Sequence, residues 1–453
     1  MVKVLVRLWI TALVTATLAA IPAATHAQQN GVKVDARGVL RVHSVADPGG
    51  QLHRQMITAA RAALDQDIAR RSQMRMVSLN RLEAALQEAL EQNRGPTAAM
   101  LNLAGLTRVQ YVFYYPQTRD VVLAGPAEGW ATHATGRQVG IHTGRPVLEL
   151  QDMIVALRAH APDATASPVI SVSIDPTQDG LRNMQQFLSS LRGVTPRDIP
   201  QIAANLRSEL GLQNVVIHGV SPKTHFAQVL VEADYRMKLI GMGLEQTPVR
   251  LATYISNASP GSVARNALKR WYFVPDYQCV RVSSDGMAMQ MVGDGVQLLG
   301  EDQLVAADGT RQAGGIFDRA SAVFTKSFTQ KYPQLAARSP VYAQMRNLID
   351  LSVAAAFIRQ QDFYAQSGWE MSLFRDEKAY PVETYPSPQQ VETAVNVVWK
   401  GNVAMTPVGG GVRIEARRAL GSENLLSDEK GQVAAAHQAI QAAGIDHQRW
   451  WWD

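Results

Sequence analysis

The stretch NVVIHGVSPKTHFAQVLVEADYRMKLIGMG, residues 214–243, decides the fold that we predict. It begins with the apolar run 215–217, turns over residues 219–224 around a Ser-Pro pair, and resumes with the apolar run 226–231. From residue 233 onward the apolar side chains no longer alternate, and charged residues fall among them, which favours a helix. The pattern therefore predicts a β-hairpin that leads into a helix.

The segments before this stretch predict an α+β protein. Residues 169–174 have the pattern of a strand, and two segments that begin with a capping residue and a proline, 175–191 and 195–210, predict helices. Together with the hairpin and its helix, the order over residues 169–245 is strand, two helices, two strands and helix. This order is typical of antiparallel or mixed sheets with helices packed on one face.

The length of the chain supports more than one sub-domain. Residues 270–308 carry short β-rich runs separated by Asp-Gly turns, which predict a meander, and glycines 409–411 are expected to join two strands. We expect a signal peptide (1–27), an N-terminal α+β domain (28–146), a central α+β domain (147–255), a β-rich meander (256–315), a helical segment (316–380) and a C-terminal β-rich segment with a Trp tail (381–453).

Residues 1–27 have the pattern of an export signal. Lys3 and Arg7 precede the apolar segment 8–20, which is shorter than the roughly 20 apolar residues needed to span a bilayer. We expect cleavage after Ala27; an uncleaved N-terminal anchor is the alternative. No later segment is apolar enough to cross a membrane, so we expect a periplasmic or extracellular protein with no transmembrane helix after signal removal.

The charge and cysteine content exclude several classes of protein. Removing the signal lowers the formal net charge from +5 to +3, and the basic residues are scattered, so the sequence indicates no nucleic-acid partner. Cys279 is the single cysteine, which excludes an internal disulfide. We expect its thiol to be a small buried group, and we expect the fold to depend on burial alone.

No arrangement of reactive residues in the sequence indicates catalysis. His218 and His225 flank the predicted turn, but their spacing matches no zinc-ligand pattern, and solvated or hydrogen-bonded histidines are the simpler interpretation. Ser427 and Lys430 have the Ser-x-x-Lys spacing, yet two acidic residues lie between them in a polar loop, where a Ser–Lys hydrolase needs a buried lysine. We assign no catalytic, cofactor-binding or metal-binding residue, and we expect no cofactor.

A set of charged residues after residue 233 is a candidate for binding a partner. Asp234, Arg236 and Lys238 interleave with Tyr235 and Met237, which is a composition suited to a recognition surface. The solvated side of an amphipathic element is the alternative. Both interpretations put the three charged side chains at the surface.

The sequence ends in three consecutive tryptophans, Trp450, Trp451 and Trp452. Three adjacent indoles cannot all point into one core, so we expect at least one to be available to a protein, a glycan or a membrane interface. A tail that folds back on the domain and closes a groove is the alternative. If the tail binds a partner, deleting residues 450–453 weakens that interaction and leaves the Tm nearly unchanged.

Several stretches of the chain resemble one family of exported proteins. They read YYPQTRDVVLAGPAEGW (114–130), VEADYRMKLIGMGLE (231–245), RWYFVPDYQCVRVSSDGMAMQMVGDGVQLL (270–299) and SFTQKYPQLAARSPVYAQMRNLIDL (327–351). In these stretches the chain is similar to proteins of planctomycete-type bacteria that carry domain of unknown function 1598. The resemblance covers most of the mature chain. It implies no activity and assigns no functional residue, because the family has no assigned reaction.

The absence of a site motif favours a non-enzymatic protein of the cell envelope that binds another envelope component, protein or polymer, or assembles with itself. The alternative is a secreted or periplasmic hydrolase whose site is assembled from residues far apart in sequence. A deep pocket that joins at least two ionisable groups with shifted pKa values would favour the hydrolase, and a smooth surface with one apolar patch would favour the binding protein.

Overall fold

The structure is a computed structural model, and it describes residues 29–164, 168–259, 267–306, 308–313, 318–400, 403–440 and 444–453. The predicted signal peptide, residues 1–27, lies outside the described residues. Within the described ranges no helix combines the length and the hydropathy that a membrane span requires.

Helices and strands are mixed along the whole chain. The helices are α1 (Gln51–Ala63), α2 (Gln66–Ala69), α3 (Leu79–Glu91), α4 (Ala98–Leu101), α5 (Leu150–Ala159), α6 (Gln178–Ser190), α7 (Ile199–Leu210), α8 (His225–Gly241), α9 (Tyr254–Asn257), α10 (Arg319–Ala336), α11 (Pro340–Gln360), α12 (Phe363–Ser367), α13 (Ser372–Arg375), α14 (Ala416–Ala419) and α15 (Gln432–Ala439). The strands are β1 (Gln29–Val34), β2 (Val39–Val45), β3 (Ser72–Ser78), β4 (Tyr111–Tyr115), β5 (Asp120–Ala127), β6 (Trp130–Thr132), β7 (Gln138–Gly140), β8 (Ile170–Pro176), β9 (Leu212–His218), β10 (Ala267–Pro275), β11 (Val280–Val282), β12 (Ala288–Met291), β13 (Val296–Val305), β14 (Arg311–Ala313), β15 (Gln390–Glu392), β16 (Val395–Trp399), β17 (Val403–Ile414), β18 (Leu426–Ser427) and β19 (Trp451–Trp452).

The strands form two large sheets and a small one. The first has ten strands in the order β1-β2-β15-β9-β8-β17-β10-β13-β14, with β16 paired to β17 beside this path. The second has seven strands in the order β18-β11-β12-β4-β5-β3-β19, and β6 pairs with β7. Most pairs are antiparallel, whereas β10 with β17, β15 with β2 and β11 with β18 are parallel. The predicted α+β class with antiparallel and mixed sheets is confirmed.

The predicted meander over residues 270–308 divides between the two large sheets. Strands β10 and β13 pair with each other in the ten-stranded sheet, and β11 and β12, which lie between them in sequence, pair in the seven-stranded sheet. The segment is therefore a hairpin nested within a wider hairpin. The Asp-Gly and Gly-rich turns are present, but turn residues fix only local reversals and do not determine which sheet each strand joins.

The structure of residues 225–241 differs from the predicted hairpin. The run 226–231 is helical, because α8 continues without interruption from His225 to Gly241. The Thr224 side chain caps this helix by accepting a hydrogen bond from the backbone N–H of Ala227. Nearly every side chain of α8 is buried, so its apolar residues cover the whole circumference and hide the helical period. The hairpin prediction is wrong, while the strand that precedes it is present as β9.

The glycines 409–411 also differ from the prediction, because they lie inside β17 and do not join two strands. Strand β17 runs between β8 and β10. A Cβ atom on Gly410 would lie 1.8 Å from the carbonyl oxygen of Trp271, and one on Gly411 would lie 1.8 Å from that of Val172. Glycine is required here by close packing against both neighbouring strands.

The ten-stranded sheet takes strands from residues 29–45, 170–218, 267–313 and 390–414. The boundaries of the expected sub-domains therefore do not coincide with the sheets, and the division itself stays a prediction. Helix α11 forms the part of the core that lies against α5 and α8. It is buried from Val341 to Ile358 and packs against both helices. These contacts hold the beginnings of α5 and α8 beside each other.

Candidate functional site

Three ionisable side chains meet where α5 and α8 begin. Glu149 precedes the first residue of α5, Asp152 lies in its first turn, and His225 is the first residue of α8. The His225 Nδ1 atom lies 2.9 Å from an Asp152 carboxylate oxygen, and its Nε2 atom lies 3.9 Å from Glu149 Oε1. Acidic side chains are favoured at a helix N-terminus, which explains both carboxylates. We call these three residues the His225 cluster.

The cluster changes the proton affinity of its members. Burial alone lowers the pKa of His225, but the charges of Asp152 and Glu149 outweigh burial and raise it to about 9. Burial raises the pKa of Glu149, although the charge of His225 opposes that shift. At neutral pH the imidazole is therefore protonated and is held between two carboxyl groups.

The hydrogen bonds around the cluster are incomplete. The Gln151 side-chain amide donates to Glu149 Oε2 at 2.7 Å and to the Tyr385 hydroxyl at 3.0 Å. Asp152 is only 5 % exposed, and its Oδ1 atom has no hydrogen-bond partner among the described residues. A buried carboxylate oxygen without a donor is unfavourable, so this oxygen is available to a ligand.

A small cavity of about 150 Å³ opens onto the cluster. Its lining includes Glu149, His225 and Tyr385 together with Arg137 and Gln228. Arg137 pairs with Glu232 and donates to the Gln344 side chain at 2.7 Å, so its guanidinium is fixed at the wall. Charged groups of both signs therefore lie at the cavity, beside apolar side chains such as Val229.

A larger groove lies beside the C-terminal half of α5 and the loop that precedes α8. Its volume is about 520 Å³, and its walls are one face of α5, the loop from Gly219 to Thr224, and the segment 377–384. The backbone N–H of Tyr385 donates to the carbonyl of Lys223 at 2.8 Å, which ties the loop to that segment. This hydrogen bond joins the linings of the two spaces, since Tyr385 lines the small cavity and Lys223 lines the groove.

The charged residues predicted to form a recognition surface are inside the molecule. Asp234 and Lys238 are both 0 % exposed and form an ion pair at 2.5 Å, and Arg236 binds Glu245 at 2.6 Å and Glu232 at 3.3 Å. Burial raises the pKa of Asp234 to about 6 and lowers the pKa of Lys238, so their pairing offsets only part of the desolvation. The exposed surface that the prediction required is not present in this structure.

The tryptophan tail folds back onto the molecule, as the alternative interpretation expects. Strand β19 pairs with β3 at the edge of the seven-stranded sheet, and Trp452 is 2 % exposed. Trp451 is half-buried with the Arg75 guanidinium 4.8 Å from its ring centre. Arg75 donates to the Asp453 carboxylate at 2.8 Å, so the last residue of the sequence is tied down as well.

The other residues weighed in the sequence are not brought together. His218 is exposed on β9 and takes no part in the His225 cluster. Ser427 and Lys430 are both exposed, which removes the buried lysine that a Ser–Lys hydrolase needs. Cys279 is buried, as predicted, and burial raises its pKa to about 12.

Sequence reasoning missed Glu149 and Asp152. An acidic pair around the start of a helix is also what helix capping alone produces, so the sequence signal had an ordinary explanation. Residue 225 follows 73 positions after Asp152. No sequence pattern connects the two segments. They meet because α5 contacts α8, and α11 packs against both helices.

The comparisons with known proteins support kinship over one segment. Residues 172–254 match the sequence profile of the family described as "Protein of unknown function (DUF1598)". The matched segment runs from β8 through α8 to α9 and includes His225. Of the stretches on which the resemblance was based, it contains 231–245 only. No significantly similar chain was found among curated proteins or among solved structures.

Proposed function

We propose that this protein is an exported, non-enzymatic component of the cell envelope that binds an extended segment of a partner protein in the groove beside α5. The groove volume of about 520 Å³ carries the proposal. Sites that enclose ligands usually measure about 300–1,000 Å³. The cavity at the His225 cluster, about 150 Å³, is below that range.

The lining of the groove suits a peptide. Val155, Ala159 and Val382 supply small apolar surface along its walls. Lys223 and Glu377 are both exposed and add charges of opposite sign. A chain segment with small apolar side chains and a charged group complements such a lining, because peptides are held by apolar anchors and polar contacts together.

Export is the part of the proposal that rests on sequence alone. The basic residues Lys3 and Arg7, the apolar segment 8–20 and the small-residue end at Ala27 support it. Expression of the full chain in a bacterial host, followed by fractionation and N-terminal sequencing, tests it. We expect a protein outside the cytoplasm that begins at Gln28; a cytoplasmic protein that keeps Met1 contradicts export.

Site-specific photo-crosslinking in the native envelope tests the groove. A photoreactive residue replaces Val220, at the groove, or Leu299, which is exposed on β13 outside the groove, as the matched control. We expect a discrete protein adduct from position 220 only, and we expect Lys223→Glu to weaken it. Adducts of equal yield at both positions contradict the groove, and an adduct with an envelope polymer contradicts the protein partner.

A second candidate function is hydrolysis. His225 and Glu149 line one cavity and both have shifted pKa values, which is a feature of acid–base sites. In that role the protonated imidazole would donate to a leaving group and Glu149 would accept a proton from water. Against it, the cavity of about 150 Å³ admits only a small part of a substrate.

Turnover of a small activated ester separates the two candidates. The proposed binding protein hydrolyses p-nitrophenyl acetate no faster than the His225→Gln variant does. Turnover that falls at least tenfold in His225→Gln, with unchanged folding by circular dichroism, would favour the hydrolase. His218→Gln serves as the matched control, because His218 is exposed and lies outside the cluster.

A further inference from the structure

We propose that Glu149, Asp152 and His225 form a binding site for a divalent transition-metal ion, and that Zn²⁺ is the ion it holds best. Each residue offers one ligand atom, and these atoms all lie within 4.8 Å of one another. This site is separate from the peptide groove and goes beyond the proposed function.

The distances within the cluster suit one ion. Zinc bonds to nitrogen and oxygen ligands are about 2.0–2.2 Å long, so two ligands of a tetrahedral ion lie about 3.3–3.6 Å apart. The 2.9 Å contact with Asp152 is made by Nδ1 of His225 and the 3.9 Å contact with Glu149 by Nε2, so one ion takes one ring nitrogen, and the three ligand atoms lie within 4.8 Å of one another. Rotation of the side chains is therefore needed to bring all three ligand atoms to coordination distance of one ion.

Asp152 provides an independent observation. Its Oδ1 atom is buried and lacks a hydrogen-bond donor among the residues that the structure describes. The other carboxylate oxygen lies against the imidazole. A cation at this place would satisfy the unpartnered oxygen, which no side chain of the cluster does.

The donor set and its charge indicate the class of ion. Binding of the ion releases the imidazole proton to solvent, and the two carboxylates with the neutral imidazole then carry a charge of minus two, which one divalent ion balances. An imidazole nitrogen with carboxylate oxygens favours zinc and its neighbours over Mg²⁺ or Ca²⁺, which prefer oxygen ligands alone. The absence of a thiolate from the cluster argues against ions that need sulfur.

The surroundings leave room for the remaining ligands. The cavity of about 150 Å³ borders Glu149 and His225 and has room for an ion with bound water. The Tyr385 hydroxyl lines the same cavity and is linked to Glu149 through Gln151. Three protein ligands and an open position are the arrangement of zinc ions that keep an exchangeable water.

Calorimetric titration of the metal-free protein, residues 28–453, tests the site. After dialysis against a chelator, ZnCl₂ is added to the wild type, to His225→Gln and Glu149→Gln, and to His218→Gln as the matched surface control. We expect one Zn²⁺ per chain, at least about tenfold weaker binding in both cluster variants, and binding within twofold of wild type in the control. MgCl₂ is expected to bind at least about a hundredfold more weakly.

The coordination itself is checked with Co²⁺, whose visible absorption reports the geometry and the donor atoms. We expect bands of a four- or five-coordinate site in the wild type and their loss in Glu149→Gln. Absence of Zn²⁺ binding by the wild type overturns the proposal, as does binding that survives in both cluster variants or is lost in His218→Gln. If His225→Gln fails to fold, the Glu149→Gln variant and the wild-type Co²⁺ spectrum still test whether the cluster binds the metal ion.

Discussion

Helix α8 carries ionisable side chains at its first residue and along its middle, and the two sets are enclosed differently. His225 borders a cavity, and its partner Asp152 keeps an oxygen without a donor. Asp234 and Lys238, in the middle, are fully enclosed and bind each other, and the Asp234 Oδ1 atom also lacks a donor among the described residues. The cavity is therefore what distinguishes the two sets: an enclosed ion pair stabilises one packing, whereas a cluster beside a cavity can bind a ligand.

The enclosed sets are not evidence of function. Burial costs free energy even for a paired charge, and the pKa shifts of Asp234 and Lys238 both follow from that cost. A shifted pKa therefore marks a candidate site only where the group also borders space for a ligand. Among the residues that the structure describes, the His225 cluster meets both conditions.

The tail gives the largest expected effect among the enclosed regions. Deleting residues 450–453 removes the buried Trp450 and Trp452 side chains and leaves the Arg75 guanidinium without its carboxylate. We expect the free energy of unfolding to fall by about 5 kcal/mol, since truncation of one buried tryptophan to alanine costs about 3–5 kcal/mol. Urea denaturation of the deletion variant measures the loss.

Trp451→Ala is the matched control for the tail, because Trp451 is half-buried. We expect a loss well below that of the deletion. An unchanged Tm in the deletion variant would contradict the pairing of the tail at the sheet edge. It would instead favour a free tail that binds a partner.

Lys238→Met tests the enclosed pair. The substitution keeps the volume of the side chain and leaves the Asp234 carboxylate buried without its cation. Removing one member of a buried ion pair costs about 3–5 kcal/mol. We expect a loss of this size at pH 7, and we expect a second substitution, Asp234→Leu, to restore most of it. A single variant as stable as the wild type would show that the pair does not hold α8 in place.

His160 provides a second buried histidine to compare with His225. It is buried beside arginines, whereas His225 is buried beside carboxylates. Burial, assisted by the charges of Arg359 and Arg417, lowers the pKa of His160 to about 4. The unfolded chain takes up the proton near pH 6.5, so the stability contributed by neutral His160 is present above that pH and is lost as the pH falls from 6.5 to 4.

We expect the wild type to lose about 3 kcal/mol more than His160→Gln between pH 7 and pH 4, measured by urea denaturation at each pH. The difference between the two proteins isolates His160 from other groups that titrate in this range, such as Asp234. Parallel stability curves would mean that His160 is not held neutral in the folded protein.

The sequence was sufficient for the class of the fold and for most elements. The strand pattern of 169–174 and the apolar run 215–217 predicted β8 and β9, and the capping residues before 178 and 199 predicted α6 and α7 within a few residues. It failed at α8, because a helix buried on nearly all sides has no polar face to reveal its period. It also failed to assign β10 to β13 to two sheets, since partner choice depends on contacts far apart in sequence.

The site was less accessible to sequence reasoning than the fold. The charges that interleave with apolar residues after 233 looked like surface residues, whereas the i, i+4 pair of Asp234 and Lys238 allows both to be buried. Glu149 and Asp152 looked like ordinary residues of a helix start. Only the packing of α5 against α8 gives them a histidine partner, and no local pattern predicts that packing.

Lys223→Ala has the smallest expected effect and tests the open side of the comparison. Lys223 lines the groove, is exposed, and has no ion pair among the described residues, so its side chain does not hold other elements in place. Surface substitutions of this kind change the free energy of unfolding by at most about 0.5 kcal/mol. We expect a urea midpoint equal to that of the wild type within error, together with a weaker photo-crosslink from position 220. A loss above about 1 kcal/mol would instead make the groove edge part of the structural framework, and the distinction between enclosed charges that stabilise and open charges that bind would no longer hold.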